Sequence, residues 1–192
     1  MSYIVNKSVN SEARQANFLD VGIHDNVELK SIEYKISPNN NPFLVLTFEK
    51  EGKLLTHTEY EPKDRDGNIL ENKKLNQIKR LKHIATKFIS EDDFTIDVKT
   101  FEEFCQKVIS LLKGKFEGKK VRIKVVYSNK NFTALPKYVP FIERMDVEKS
   151  GLEILSIDKM KKDIPDRVPT TENPFKVDIS DVEPEDENEL PF

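Results

Sequence analysis

Between Gly118 and Ile142 the chain carries Lys119, Lys120, Arg122, Lys124, Lys130 and Lys137, and neither Asp nor Glu. Tyr127, Phe132, Tyr138 and Phe141 are interleaved with these cations. Cations spaced along extended backbone can follow a chain of phosphates, and aromatic rings offer faces on which unpaired bases stack. Stacking accepts any base, so the chemistry suits sequence-tolerant binding of a single strand. The expected phosphate contacts are Lys120, Arg122, Lys124, Lys130 and Lys137. Phe132, between Asn131 and Thr133 in a polar stretch, is the first choice for a stacking ring, followed by Tyr138 and then by Tyr60 and Tyr127. Tyr127 shares the apolar face of Val121, Ile123 and Val125 and fits a core position equally well, as does Phe141 after Pro140.

Catalytic patterns are scarce. The six glycines do not cluster into a phosphate-binding loop, and no serine sits in a nucleophile elbow. Cys105 falls beside the apolar stripe of a predicted helix, the position of a buried structural thiol. His57 lies in a predicted strand and His83 on a basic helix, neither with a recognisable acid partner, and His24-Asp25 is a loop dipeptide without a pattern. Glu91-Asp92-Asp93 lacks the remaining ligands of a calcium loop. With three histidines and one cysteine, a multi-ligand zinc site is not expected. The expectation is a protein that binds, without catalysis, cofactor or metal.

The elements that would position these residues follow from the hydrophobic period. A polar lead-in occupies residues 1–20. Val27 to Lys35, Phe43 to Glu49 and Leu54 to Tyr60 read as three strands joined by tight turns, the first with a change of phase between Leu29 and Ile32 that predicts a bulge. Leu75, Ile78, Leu81, Ala85, Phe88 and Ile89 mark a helix over about Asn72 to Ser90. Its other face carries Lys73, Lys74, Lys79, Arg80, Lys82 and Lys87, more often a solvated surface than a contact. Thr100 and Glu103 have capping-box spacing and open a second helix that stops near Gly114. Val121 to Tyr127 is a fourth strand, Ser128 to Pro136 a loop, and Lys137 to Glu148 a fifth strand broken by Pro140. Leu152 to Ile157 extends or pairs with it. The predicted class is mainly β with a helical insertion: an OB-fold-like five-stranded antiparallel barrel over residues 21–157, with two helices inserted at about 72–113. An α+β sandwich is the other arrangement this order allows.

Beyond Asp158 the periodicity is lost, and residues 158–192 read as a disordered tail. From Asp178 onward there are seven acidic residues and no basic one, and the remainder of the chain carries +4, with 31 basic against 27 acidic residues. No apolar run approaches the roughly 18 residues of a membrane span, and the first residues lack the pattern of a signal peptide. A reducing, cytoplasmic setting fits the single cysteine. The acidic run closes on Leu190-Pro191-Phe192, which a merely solubilising tail does not need. A terminal Phe presents a ring and a carboxylate together, suited to a small apolar pocket rimmed by Lys or Arg.

Glu185-Asp186-Glu187-Asn188-Glu189-Leu190-Pro191-Phe192 resembles the C-terminal tip of bacterial and bacteriophage single-stranded DNA-binding proteins, where an Asp-rich run precedes aliphatic-Pro-Phe. It departs from that pattern by mixing Glu and Asn188 into the run and by using Leu190 where Ile is usual. The body shows no motif of the short bacterial proteins, so a phage-type member with a divergent OB-fold is the nearer likeness. The resemblance implies that Asp186, Glu187, Glu189, Leu190, Pro191 and Phe192 recruit replication or recombination proteins such as a polymerase, helicase or primase. It also implies that the body coats and protects single-stranded DNA, as a monomer or homo-oligomer, in the cytoplasm of a bacterial host if phage-encoded. Asn173-Pro174-Phe175 is a weaker linear motif. The rival expectations are an interaction adaptor that does not bind DNA, and a DNA-processing enzyme carrying a recruitment tail.

Overall fold

The computed structural model describes residues 17–163. Most of the lead-in and the tail from residue 164, including Asp186, Glu187, Glu189, Leu190, Pro191 and Phe192, lie outside them.

The barrel is organised by one long, bent strand. β1 (Gly22–Ile36) pairs antiparallel with two partners, its first half with β4 (Lys120–Tyr127) and its second half with β2 (Pro42–Lys50). Its register shifts between His24 and Val27 and again between Leu29 and Ser31, the second at the phase change legible in the sequence. Each bulge adds local bend and twist, which lets one strand turn a corner between two neighbours. β3 (Lys53–Tyr60) extends the meander through the turn at Glu51 and Gly52, both at positive φ. The strand order is β3-β2-β1-β4-β5, and β3 and β5 (Thr133–Ala134) approach each other. The result is a nearly closed five-strand antiparallel barrel. Leu44, Leu46 and Phe48 of β2 alternate into its core with Val27, Leu29, Val121, Ile123 and Leu55.

Two helices separate β3 from β4. α1 (Glu71–Ala85) buries Leu81, Ile84 and Ala85 and gives way to turns before Ser90, shorter than its apolar period predicts. α2 (Phe101–Leu112) starts with the expected capping box, in which Thr100 Oγ1 accepts from the Glu103 N–H at 3.2 Å and Glu103 Oε2 from the Thr100 N–H at 3.1 Å. Among the described residues no helix is long and apolar enough to cross a membrane.

The end of the barrel departs from the sequence expectation. Of the strand expected over Lys137 to Glu148 and broken by Pro140, only β6 (Ile142–Arg144) forms, pairing with the first half of β4, and β5 lies earlier, at Thr133–Ala134, inside the stretch read as a loop. Pro136 and Pro140 lack the amide hydrogen a ladder needs, so the pairing is split on either side of them. Leu152 to Ile157 forms no strand, although Leu152 is buried. The packed body also continues past both ends drawn from periodicity. Leu19 is buried and donates its N–H to Leu54 O at 2.9 Å, and the Tyr127 N–H donates to Lys159 O at 2.8 Å.

Candidate nucleic-acid interface

Alternation along β4 predicts that Lys120, Arg122 and Lys124 meet solvent from one face. That holds for Lys120, which is exposed. Lys124 must be removed from the set of phosphate contacts, because it is 1% exposed. Its ammonium donates to Tyr138 Oη, Glu153 O and Asp158 Oδ2, each at 2.9 Å. The alternation rule fails at Lys124 because Tyr138, Glu153 and Asp158, from the segment after β5, cover the outer face there, so both faces are buried at that point of the strand. Burial works against the charge of Lys124, but Tyr138 and Asp158 outweigh it and hold its pKa above the ordinary lysine value. Asp158 is correspondingly held below the carboxylate range by Tyr138 and Lys124 despite its own burial. Arg122 is half-buried between Asp25 and Glu143, which neutralise its guanidinium. Tyr138 bonds through its hydroxyl to Lys124 and Asp158, which makes it a structural staple, and its ring is half-buried.

Of the predicted residues that remain accessible, Lys130 and Phe132 lie on the β4–β5 loop and Lys137 follows β5. Phe132 is 68% exposed, the most exposed ring among the described residues. Its loop is tied rather than loose: the Ser128 N–H donates to Phe132 O at 2.8 Å, the Asn131 N–H to Ser128 O at 2.9 Å, and the Phe132 N–H to Ser128 Oγ at 3.2 Å. Asn131, at φ +60, makes the turn in the left-handed region that Asn tolerates. Lys159 Nζ donates to Asn131 Oδ1 at 2.9 Å, and Lys162 Nζ stands 5.6 Å from the centroid of the half-buried Tyr127 ring. Lys130 and Lys137 are exposed and, with Lys120, have no ion-pair partner among the described residues. The loop thus displays one ring and several cations on a fixed backbone. Lys159 and Lys162 escape the periodic pattern because they follow the point where it ends. The signal was the basic run Lys159-Met160-Lys161-Lys162.

A second aromatic position lies on the meander. Tyr60, 52% exposed, stands opposite Phe43 in the β2–β3 ladder, ring centroids 5.0 Å apart and planes at 35°. Phe43 was missed, although the Glu51-Gly52 hairpin fixes the register and counting back from it pairs Phe43 with Tyr60. β3 ends at Tyr60 and lies beside β5, which begins one residue after Phe132. The outer face of β1 and β2 supplies no excess charge, since Lys30 pairs with Glu28 and Glu49 and Lys35 with Glu33. Excess cations come from the loops.

The histidines left open by the sequence are also placed. His57 does have an acid partner: its Nε2 lies 3.0 Å from Glu59 Oε1, two residues along the same strand. His83 accepts from the Phe141 N–H at 3.4 Å, its ring edge-on to Phe141, and burial followed by the nearby Lys87 pushes its pKa down to about 4. Cys105 is buried, and that burial pushes its thiol up to about 12, the opposite of an activated nucleophile. Among the described residues no three His, Cys, Asp or Glu side chains gather as a metal site would require. No protein-family model and no curated protein matches this chain.

Proposed function

We propose that this protein binds single-stranded DNA with little base preference, stacking bases on Phe132 and on the Phe43–Tyr60 pair while Lys130, Lys137, Lys159 and Lys162 neutralise phosphates. The carrying observation is Phe132, a ring left 68% exposed on a hydrogen-bonded loop among cations. A fixed loop loses little entropy on contact, so an exposed ring on it is better used for binding than a ring on a free chain. The strand order supports an OB-fold assignment, since β1 pairs with both β2 and β4 and the helices fall between β3 and β4. The acidic run ending in Leu190-Pro191-Phe192 fits a docking segment for replication or recombination proteins, and the protein's own action is binding without bond-making.

Titration of fluorescent oligo-dT tests the reading. The parent should prefer single strand to duplex, and Phe132→Ala should weaken binding by about 1–3 kcal/mol, roughly 5- to 150-fold, without lowering the melting temperature. Equal affinity of parent and variant removes Phe132 from the site. No binding at any salt concentration returns the protein to the adaptor reading. Phe192→Ala should leave oligonucleotide affinity unchanged and abolish capture of whichever replication protein the parent retains. Full capture by that variant removes the terminal segment from the proposal.

A further inference from the structure

A second concentration of positive charge lies away from the aromatic loop. The turn after α1, the start of β4 and the end of β6 enclose an open cleft of about 780 Å³. Lys87, Lys119, Lys120 and Arg144 line it, and Asp146 is its one acidic lining residue. Asp146 is already paired with Arg144. Lys119 is positioned by donating from Nζ to Phe88 O at 2.8 Å, a contact that orders the side chain and leaves its charge uncompensated. Lys87 is half-buried, and burial holds its pKa below the ordinary lysine value, so a second anion beside it would relieve a cost the fold now bears. Gly118, at φ +71 with no atom within 4 Å of where a Cβ would stand, keeps the backbone wall low. Four cations around one paired carboxylate make a site for phosphate groups.

The cleft is distinct from the stacking surface. Lys120 stands opposite Glu28 in the β1–β4 ladder, and Glu28 opposite Glu49 in the β1–β2 ladder. Glu49 is six residues along β2 from Phe43, so roughly 20 Å of strand separates the cleft's end of the sheet from the ring pair. A ligand that meets both must be an extended chain.

We propose that this cleft binds consecutive phosphates of the same single strand whose bases stack at the aromatic positions, so that the strand is held at two separated points. The assignment rests on the single-strand reading above. The chemistry shared with other phosphate compounds is tested with inorganic tripolyphosphate alongside oligo-dT. The variant is Lys120→Gln with Arg144→Gln, both at exposed positions. Lys73→Gln with Lys107→Gln is the control, also exposed and outside the cleft lining.

Removing two phosphate contacts should reduce the slope of log K against log salt by about 1.4, which makes the loss of affinity between 50 and 200 mM salt about sevenfold smaller than in the parent. The control should keep the parent slope, and all three proteins should melt alike. An unchanged slope in the cleft variant, or an equal change in the control, overturns the proposal. Tripolyphosphate binding that the cleft variant loses while its oligo-dT slope stays at the parent value assigns the cleft to a free phosphate compound and overturns the strand path. A parent that binds no oligo-dT removes the single-strand reading itself and this assignment with it.

Discussion

Asp158→Ala should destabilise the protein by about 3–5 kcal/mol, the range for removing one partner of a buried ion pair. Asp158 sits where the chain loses every periodic signal, yet its side chain is 1% exposed and that of Lys124 is 2% exposed. The ion pair is completed by Tyr138 and by Glu153 O, so each of the three Lys124 donors has an acceptor. Removing the carboxylate leaves an ammonium in a water-poor site with only neutral acceptors. Urea unfolding measures the loss, and a drop within about 0.5 kcal/mol would place Asp158 at an ordinary surface position instead. The Lys124→Met, Asp158→Leu double variant should recover much of the loss, because the cost is that of an unpaired charge. The same variant reports on function through its sign. Deleting an acid makes the chain's formal net charge of -3 less negative and by long-range electrostatics alone would favour a polyanion such as DNA. On the single-strand reading proposed above the reverse is expected for Asp158→Ala, because the adjoining Lys159 is anchored to Asn131 and Ser128 and helps fix the loop that displays Phe132.

What the sequence discloses, and what it hides, follows from the range of the interactions involved. The β1 bulge, the α2 capping box and the three-strand meander rest on neighbours a few residues apart and are legible. Phe132 is legible as an exposed ring because its surroundings in the chain are polar. Lys124 is not, since alternation along β4 assumes that one sheet face meets water, and the segment covering that face has no period of its own. The split of the last strand is hidden for a related reason: a two-residue and a three-residue pairing carry too few alternations to register. Lys159 and Lys162 are legible as a short basic run, but their place beside β4 follows only from the anchoring of Asp158. His57 shows the remaining failure, in which the acid partner is in plain view at Glu59 but the inward direction of both side chains depends on where α1 packs.

Glu59→Gln should cost about 3 kcal/mol at neutral pH and nothing near pH 2. The carboxylate is almost fully buried and accepts from Arg80 Nε and an Arg80 terminal nitrogen at 2.7 Å each, and from Gln77 at 3.2 Å, with His57 at 3.0 Å. Burial alone would raise its pKa, but His57 and Arg80 outweigh it and hold the group at about 2, against an ordinary 4.5. Because the folded value is the lower one, the stabilisation is present in full above the unfolded pKa and is lost as pH falls from about 4.5 to 2, worth about 3 kcal/mol over that window. His83 adds an earlier loss by the same sign, since a neutral imidazole with a folded pKa of about 4 stabilises above the unfolded value of 6.5 and ceases to do so as pH falls between the two. Unfolding free energies measured from pH 7 to 2 should therefore fall in two stages for the parent. Glu59→Gln should keep the upper stage and a shallower lower one, because Asp158 and Glu143 are also held below the carboxylate range by their partners, and its curve should approach the parent's at the acid end. A constant gap between the two curves down to pH 2 would mean that Glu59 stabilises by shape and hydrogen bonding alone. The ion pair tying β3 to α1 would then contribute nothing through its charge, and the first helix would be held in place by its buried Leu81, Ile84 and Ala85.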